Sequence, residues 1–174
     1  MASTLKINNL DTASGTTITL PTGKTLVGTD EGAFRVPGAV LQVVQVATTT
    51  TTSTSSTSFV DTGLTATITP KSSSSKILVT ADFGVGAGNS SNGAIMQLVR
   101  GSTQLFYRGD AYSGAGNSYG VDAFFHLDSP ATTSATTYKV KIASQGSSTT
   151  CYLNPEYSGF TDPTAHITLI EIAG

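Results

Sequence analysis

Apolar residues recur at every second position through much of this chain, and a period of two admits strands and little else. In "LTATIT", Leu64, Ala66 and Ile68 face one way and Thr65, Thr67 and Thr69 the other. "KILVTADFGVG" lines Ile77, Val79, Ala81, Phe83 and Val85 along one side. "YGVDAFFHLD" groups Val121, Ala123, Phe125 and Leu127 against Asp122, Phe124, His126 and Asp128, and "TYKVKIA" sets Tyr138, Val140 and Ile142 against Lys139 and Lys141. No segment carries a convincing helical period. Turn clusters such as "TPKSSSSK", "GAGNSSNG" and "DSPATTSA" separate the runs and supply left-handed backbone angles and side-chain turns. Many short strands with regular punctuation predict an all-β protein, an antiparallel jelly-roll-like β-sandwich.

Charged residues make up only 11% of the 174 residues, against about a quarter in ordinary globular proteins. Gly, Ser and Thr occupy surface that Lys and Glu usually take. The net charge of −2 offers no electrostatic footprint for nucleic acid or anionic lipid. No stretch approaches the roughly 20 apolar residues of a membrane span, and "MASTLKINNL" has no apolar run that would make it a signal peptide. The single cysteine, Cys151, excludes an intrachain disulfide and a multi-cysteine metal site, and reads as a small core residue.

Two runs are apolar on both faces: "AVLQVVQV" (Ala39–Val46) and "HITLIEIAG" (His166–Gly174). A strand greasy on both sides needs a layer beyond its own core. In one sandwich that layer has to come from another chain, so a homo-oligomer is expected. Its candidate interface is Leu41, Val43, Val44 and Val46 with Ile167, Leu169, Ile170 and Ile172. Residues 1–37 differ from the rest, with too few apolar residues to bury a core alone, and read as a stalk or docking segment. Pro37-Gly38 marks the boundary with a head spanning residues 38–174.

The Ser/Thr tract "ATTTTTSTSSTSF" (Ala47–Phe59) joins two strand runs. A disordered connection of that length inside a compact domain is uncommon. A mucin-like stalk requires a secretory route that the N-terminus does not offer, and an ice-binding face requires a regular Thr-x-Thr repeat that is absent. β-branched Thr favours extended backbone, so the tract is expected to be a partly extended loop or edge strand.

Catalysis finds little support. His126 and His166 fall within strands, the acidic residues are scattered, and no Gly-x-Ser-x-Gly elbow is present. "GVGAG" at Gly84–Gly88 lacks the Lys and helix of a phosphate cradle. No catalytic residue, cofactor or metal site is expected. "YRGDAY" contains an Arg-Gly-Asp tripeptide, too short a match to carry meaning. Tyr107, Arg108, Asp110, Tyr112 and Tyr119 nevertheless gather around a Gly-rich loop. Aromatic faces beside polar groups suit sugar recognition, which makes this the candidate receptor-facing loop, with a host surface glycan as its partner.

The block "TSFVDTGLTATITPKSSSSKILV", with "AIMQLVRGSTQLF", "FFHLDSPATTSATTYKVKIAS" and "HITLIEIAG" after it, resembles a domain of tail-fibre and other virion appendage proteins of tailed bacteriophages. "GTTITLPTGKTLVGTD" is similar to the segment that often precedes that domain. The likeness runs in order over nearly the whole chain. It implies a jelly roll like the tumour-necrosis-factor and complement C1q heads, assembled as a homotrimer. It also implies a virion location after assembly in the bacterial cytoplasm, with the N-terminal segment docking on other virion proteins. The chain starts at its own Met1 and carries no extended shaft. A trimeric capsid decoration or head-fibre protein without receptor binding is therefore the alternative to a short tail fibre.

Overall fold

A computed structural model describes residues 22–25, 27, 36–88, 93–109, 118–146, 149–156 and 163–174. The chain divides into two compact units, Met1–Ala33 and Phe34–Gly174, and the second is the subject here. The expected docking segment lies almost wholly outside the described residues, as do Asp110 and Tyr112.

Among the described residues ten strands follow in chain order: β1 (Val40–Thr48), β2 (Thr52–Thr54), β3 (Val60–Ile68), β4 (Lys76–Gly88), β5 (Ala94–Arg100), β6 (Thr103–Gly109), β7 (Ser118–Asp128), β8 (Thr136–Ser144), β9 (Thr150–Leu153) and β10 (Ala165–Ile172). The pairs β1·β10, β3·β8, β4·β7 and β5·β6 are all antiparallel. They are the successive rungs of one long ribbon doubled back on itself. Rolling that ribbon sends its rungs alternately into two sheets, ordered β1-β10-β4-β7 and β3-β8-β5-β6. This is a jelly-roll β-sandwich. The ribbon's two ends close on each other: Gly38 N–H donates to Ala173 O at 2.8 Å, and Ala173 N–H to Ala39 O at 2.8 Å.

The alternation seen in the sequence sorts side chains between core and solvent. Ile77, Val79, Ala81, Phe83, Val85 and Ala87 of β4 all point inward, and Leu64, Ala66 and Ile68 of β3, with Tyr138, Val140 and Ile142 of β8, meet them from the other sheet. Cys151 is buried in the same core, where burial pushes its thiol pKa up and leaves it a small apolar filler. Gly63, at φ +80°, stands where the β3·β8 register slips between Asp61 and Thr65, a bulge that needs left-handed backbone.

β7 turns the other way from the apolar grouping in its sequence. Phe124 is the inward residue, 1% exposed, and its ring meets Phe83 and Phe106 edge-to-face at 5.1 and 4.9 Å. Val121, Phe125 and Leu127 face out. The Ser/Thr tract yields one short edge strand, β2, paired with β9 through Thr52↔Leu153 and Thr54↔Cys151. Its hydroxyls are put to use: Thr52 Oγ1 donates to Thr62 O and Thr51 Oγ1 to Asn154 O.

One acid is sealed in this core. Glu171 on β10 is fully buried and accepts hydrogen bonds from Gln42 Nε2 and, at 2.7 Å, from Lys71 N–H. It thereby pins the β3–β4 corner to the seam between the chain ends. Burial raises its pKa, but these hydrogen bonds outweigh burial and hold it below the ordinary 4.5. The folded state thus holds that proton more weakly than the unfolded chain does. The stabilisation is complete above 4.5 and is lost as pH falls through the lower folded value. The thermal midpoint should therefore drop on acidification through that range, and Glu171→Gln should flatten the drop in a calorimetric pH series. Asp61, held down chiefly by its hydrogen bond from Lys139, supplies a further acid dependence that the variant keeps.

Candidate interaction surface

The face of the β1-β10-β4-β7 sheet turned away from the core is not polar. Register sets Val43 opposite Ile170, Ile170 opposite Leu78, and Leu78 opposite Leu127. Four strands thus contribute one apolar row, which spans about 14 Å at the usual strand spacing. Val40 and Ile172 lie beside it. Val43 is 58% and Leu127 50% exposed. Monomeric soluble proteins seldom leave contiguous apolar surface of this kind uncovered.

The eight residues expected at a subunit interface divide between the two faces. Val43, Ile170 and Ile172 belong to the outer row. Ile167 and Leu169 are fully buried in the chain's own core, and Val44 and Val46 are registered against them on the inner side. Leu41 falls at the slip in the β1·β10 register and lines a small recess with Pro37 and Ala173. The correction is physical: consecutive aliphatics on a strand point to opposite faces, so half of such a run is claimed by its own sandwich. Leu78 and Leu127 complete the outer row and were missed. Leu127 escaped notice because the alternation of β7 groups it with Val121, Ala123 and Phe125 against Asp122, His126 and Asp128, which reads as a core face.

Of the candidate receptor loop, Tyr107, Arg108 and Tyr119 are among the described residues, and these three do not gather at one place. Tyr107, opposite Gln97, projects from the outer face of the β3-β8-β5-β6 sheet. Tyr119, opposite Gly86, lies on the outer face of the other sheet, its ring resting where a Cβ at Gly86 would come within 2.9 Å. The two tyrosines stand on opposite sides of the sandwich. Arg108 points instead to the sandwich edge, where Nη1 donates to Asp122 Oδ1 at 2.7 Å and to Ala123 O at 3.2 Å.

Arg108 belongs to a cleft. A cavity of about 580 Å³ opens beside β4 and β7, walled by Val121 and Phe125 and bounded by Asp82, Gly84, Asp122 and Asn154. Asn154 is its best-anchored member. The residue sits at φ +57°, its N–H donates to Gly84 O at 2.7 Å, and Nδ2 donates to Thr48 O and Pro163 O. Gly84 lets this segment lie close, since a Cβ there would meet Pro155 at 3.3 Å. At the rim, His166 Nδ1 stands 3.0 Å from Asp82 Oδ2, while His126 packs its ring near Phe106. Among the described residues no three His, Cys, Asp or Glu side chains gather as a metal site would require.

No protein-family model matches the chain, and no curated protein matches it. Among solved structures it is similar to a chain in the structure of infectious bursal disease virus, Gx strain. The identity is 14% and the TM-score 0.39, over 89% of this chain and 46% of that one. The chain thus spans about half the length of that viral protein.

Of the cleft residues, sequence reasoning singled out only Arg108 as a binding candidate. Asp122 registered as one scattered acid. Asn154 went unnoticed, although Asn-Pro marks a turn and Asn tolerates left-handed backbone.

Proposed function

We infer that this chain is a non-enzymatic structural protein of a tailed-phage particle, a homotrimeric short fibre or appendage. The sandwich is its projecting head, residues 1–37 dock it to other virion proteins, and its exposed surface contacts the host. The observation that carries this reading is the apolar row Val43–Ile170–Leu78–Leu127 on a chain with 11% charged residues. Burial at roughly 25 cal/mol per Å² makes such a row a natural subunit contact. The likeness of the Thr57–Val79 region to phage appendage domains favours three copies about one axis.

Sedimentation velocity at micromolar concentration should give a species of three times 17.8 kDa. Val43→Asp combined with Leu127→Asp should weaken association on the order of a hundredfold while leaving the circular dichroism of the fold unchanged. A monodisperse wild-type monomer would overturn the assembly. Deleting residues 1–37 should abolish incorporation into particles, and unimpaired incorporation would remove the docking role. Imaging of intact particles separates a tail appendage from the capsid-decoration alternative, which requires far more copies per particle.

A further inference from the structure

We propose that Arg108 and Asp122 form a gatekeeper that closes the β7 edge to strand addition by a second copy of this chain. Among the described residues β7 pairs with β4 alone, over all 11 of its residues, and is the longest strand at the margin of either sheet. Backbone groups alternate between the two sides of a strand. The Gly84 carbonyl accepts from Asn154 N–H, on the side of β4 away from β7. Gly84 is registered opposite Val121, so Val121, Ala123, Phe125 and Leu127 turn their N–H and C=O groups toward the open edge. Such a row is a template for another strand. The segment "VDAFFHL" (Val121–Leu127) is also β-prone, rich in apolar residues and free of proline, the composition of aggregation-prone windows. Within it Phe125 is 75% and Val121 89% exposed.

The middle of the row is closed. Ala123 N–H donates to Asp122 Oδ1 at 2.8 Å, and Ala123 O accepts from Arg108 Nη1 at 3.2 Å. The same Nη1 donates to Asp122 Oδ1 at 2.7 Å, which ties the two caps together. An incoming strand needs both groups of Ala123. Without them only Val121 and the step from Phe125 to Leu127 remain, too short for a ladder. The Asp122 side chain turns to the opposite face of β7 from Val121 and Phe125, and an inward charge on an edge strand blunts it. Fold stability does not account for the pair. Arg108 is half exposed, where ion pairs contribute little, and Asp122 Oδ2 is buried without a partner. A second copy is the occupant to exclude, because two β7 strands can pair antiparallel about a twofold axis, each offering the same edge. Closing that route leaves the outer face for self-association, and this last consequence alone rests on the reading above.

Amide hydrogen exchange and sedimentation on the full chain test the device. In the wild type the Ala123 amide should exchange slowly although no backbone group pairs with it, and about tenfold faster in Asp122→Ala. Arg108→Ala combined with Asp122→Ala should keep the circular dichroism of the fold but lose monodispersity, forming thioflavin-T-positive species as concentration rises. Adding Ala123→Pro removes the exposed N–H without touching the β4 ladder, and should restore the wild-type sedimentation profile. A variant that aggregates only because it is destabilised would not be rescued. An Ala123 amide unprotected in the wild type, a double variant as monodisperse as the wild type, or aggregation that survives Ala123→Pro would each overturn the proposal. A wild-type monomer that aggregates on unblocking would sink the trimer and leave the gatekeeper standing. A trimer indifferent to both substitutions would do the reverse.

Discussion

Phe124→Ala should cost the sandwich about 4 kcal/mol, whereas Phe125→Ala should change its stability by no more than about 0.5 kcal/mol. The two residues are adjacent and chemically identical, so composition and propensity cannot separate them. Strand geometry does. Phe124 closes an aromatic cluster with Phe83 of its own sheet and Phe106 of the facing sheet, and truncating it removes two edge-to-face contacts and opens a cavity between the layers. Phe125, registered opposite Thr80 on the outer face, leaves no such void. Urea unfolding of both variants checks the difference. Equal losses would mean that β7 sits one residue out of the register described here.

Asp128→Ala should cost about 3 kcal/mol, because it breaks up a network closed off from water. Both Asp128 oxygens accept from Arg100 Nη1, at 2.7 and 2.6 Å, and Oδ2 also accepts from the Tyr138 hydroxyl at 2.7 Å. Tyr138 is fully buried, and burial together with the carboxylate pushes its phenol above the ordinary 10, so it remains a donor at every working pH. Removing the carboxylate strands that hydroxyl. Adding Tyr138→Phe removes the stranded group, so the double variant should be less damaged than the sum of the two single changes. Strict additivity in a thermal-unfolding cycle would show that the three side chains do not act as a unit.

Strands polar on one side could be read directly, and this explains what the sequence revealed. Leu64–Ala66–Ile68 and Ile77 through Val85 fell inside as their alternation required, and the two-sheet architecture followed from their number and spacing. Strands apolar on both sides could not be resolved so far. In β10 the period separates two sets of side chains but does not say which faces in, and in β7 the more apolar set, with Val121, Phe125 and Leu127, faces out against its alternation. For β7 that is decided by Phe83 and Phe106, which lie far away in sequence. The Ser/Thr tract holds the expected edge strand, but which three residues form it was not legible, since the partner Thr150–Leu153 comes about a hundred residues later. The cleft was the least legible feature. Arg108, Asp122 and Asn154 come from three separate segments, and only the rolled ribbon brings them to one edge.

The closure of the ribbon's two ends at Gly38 and Ala173 ties the chain's entry into the sandwich to its exit. A load carried through residue 38 enters a seam knitted by the first and last strands together. The cleft opens along β4, from Thr80, opposite Phe125, to Gly84 at its far end, about 13 to 26 Å from Lys76.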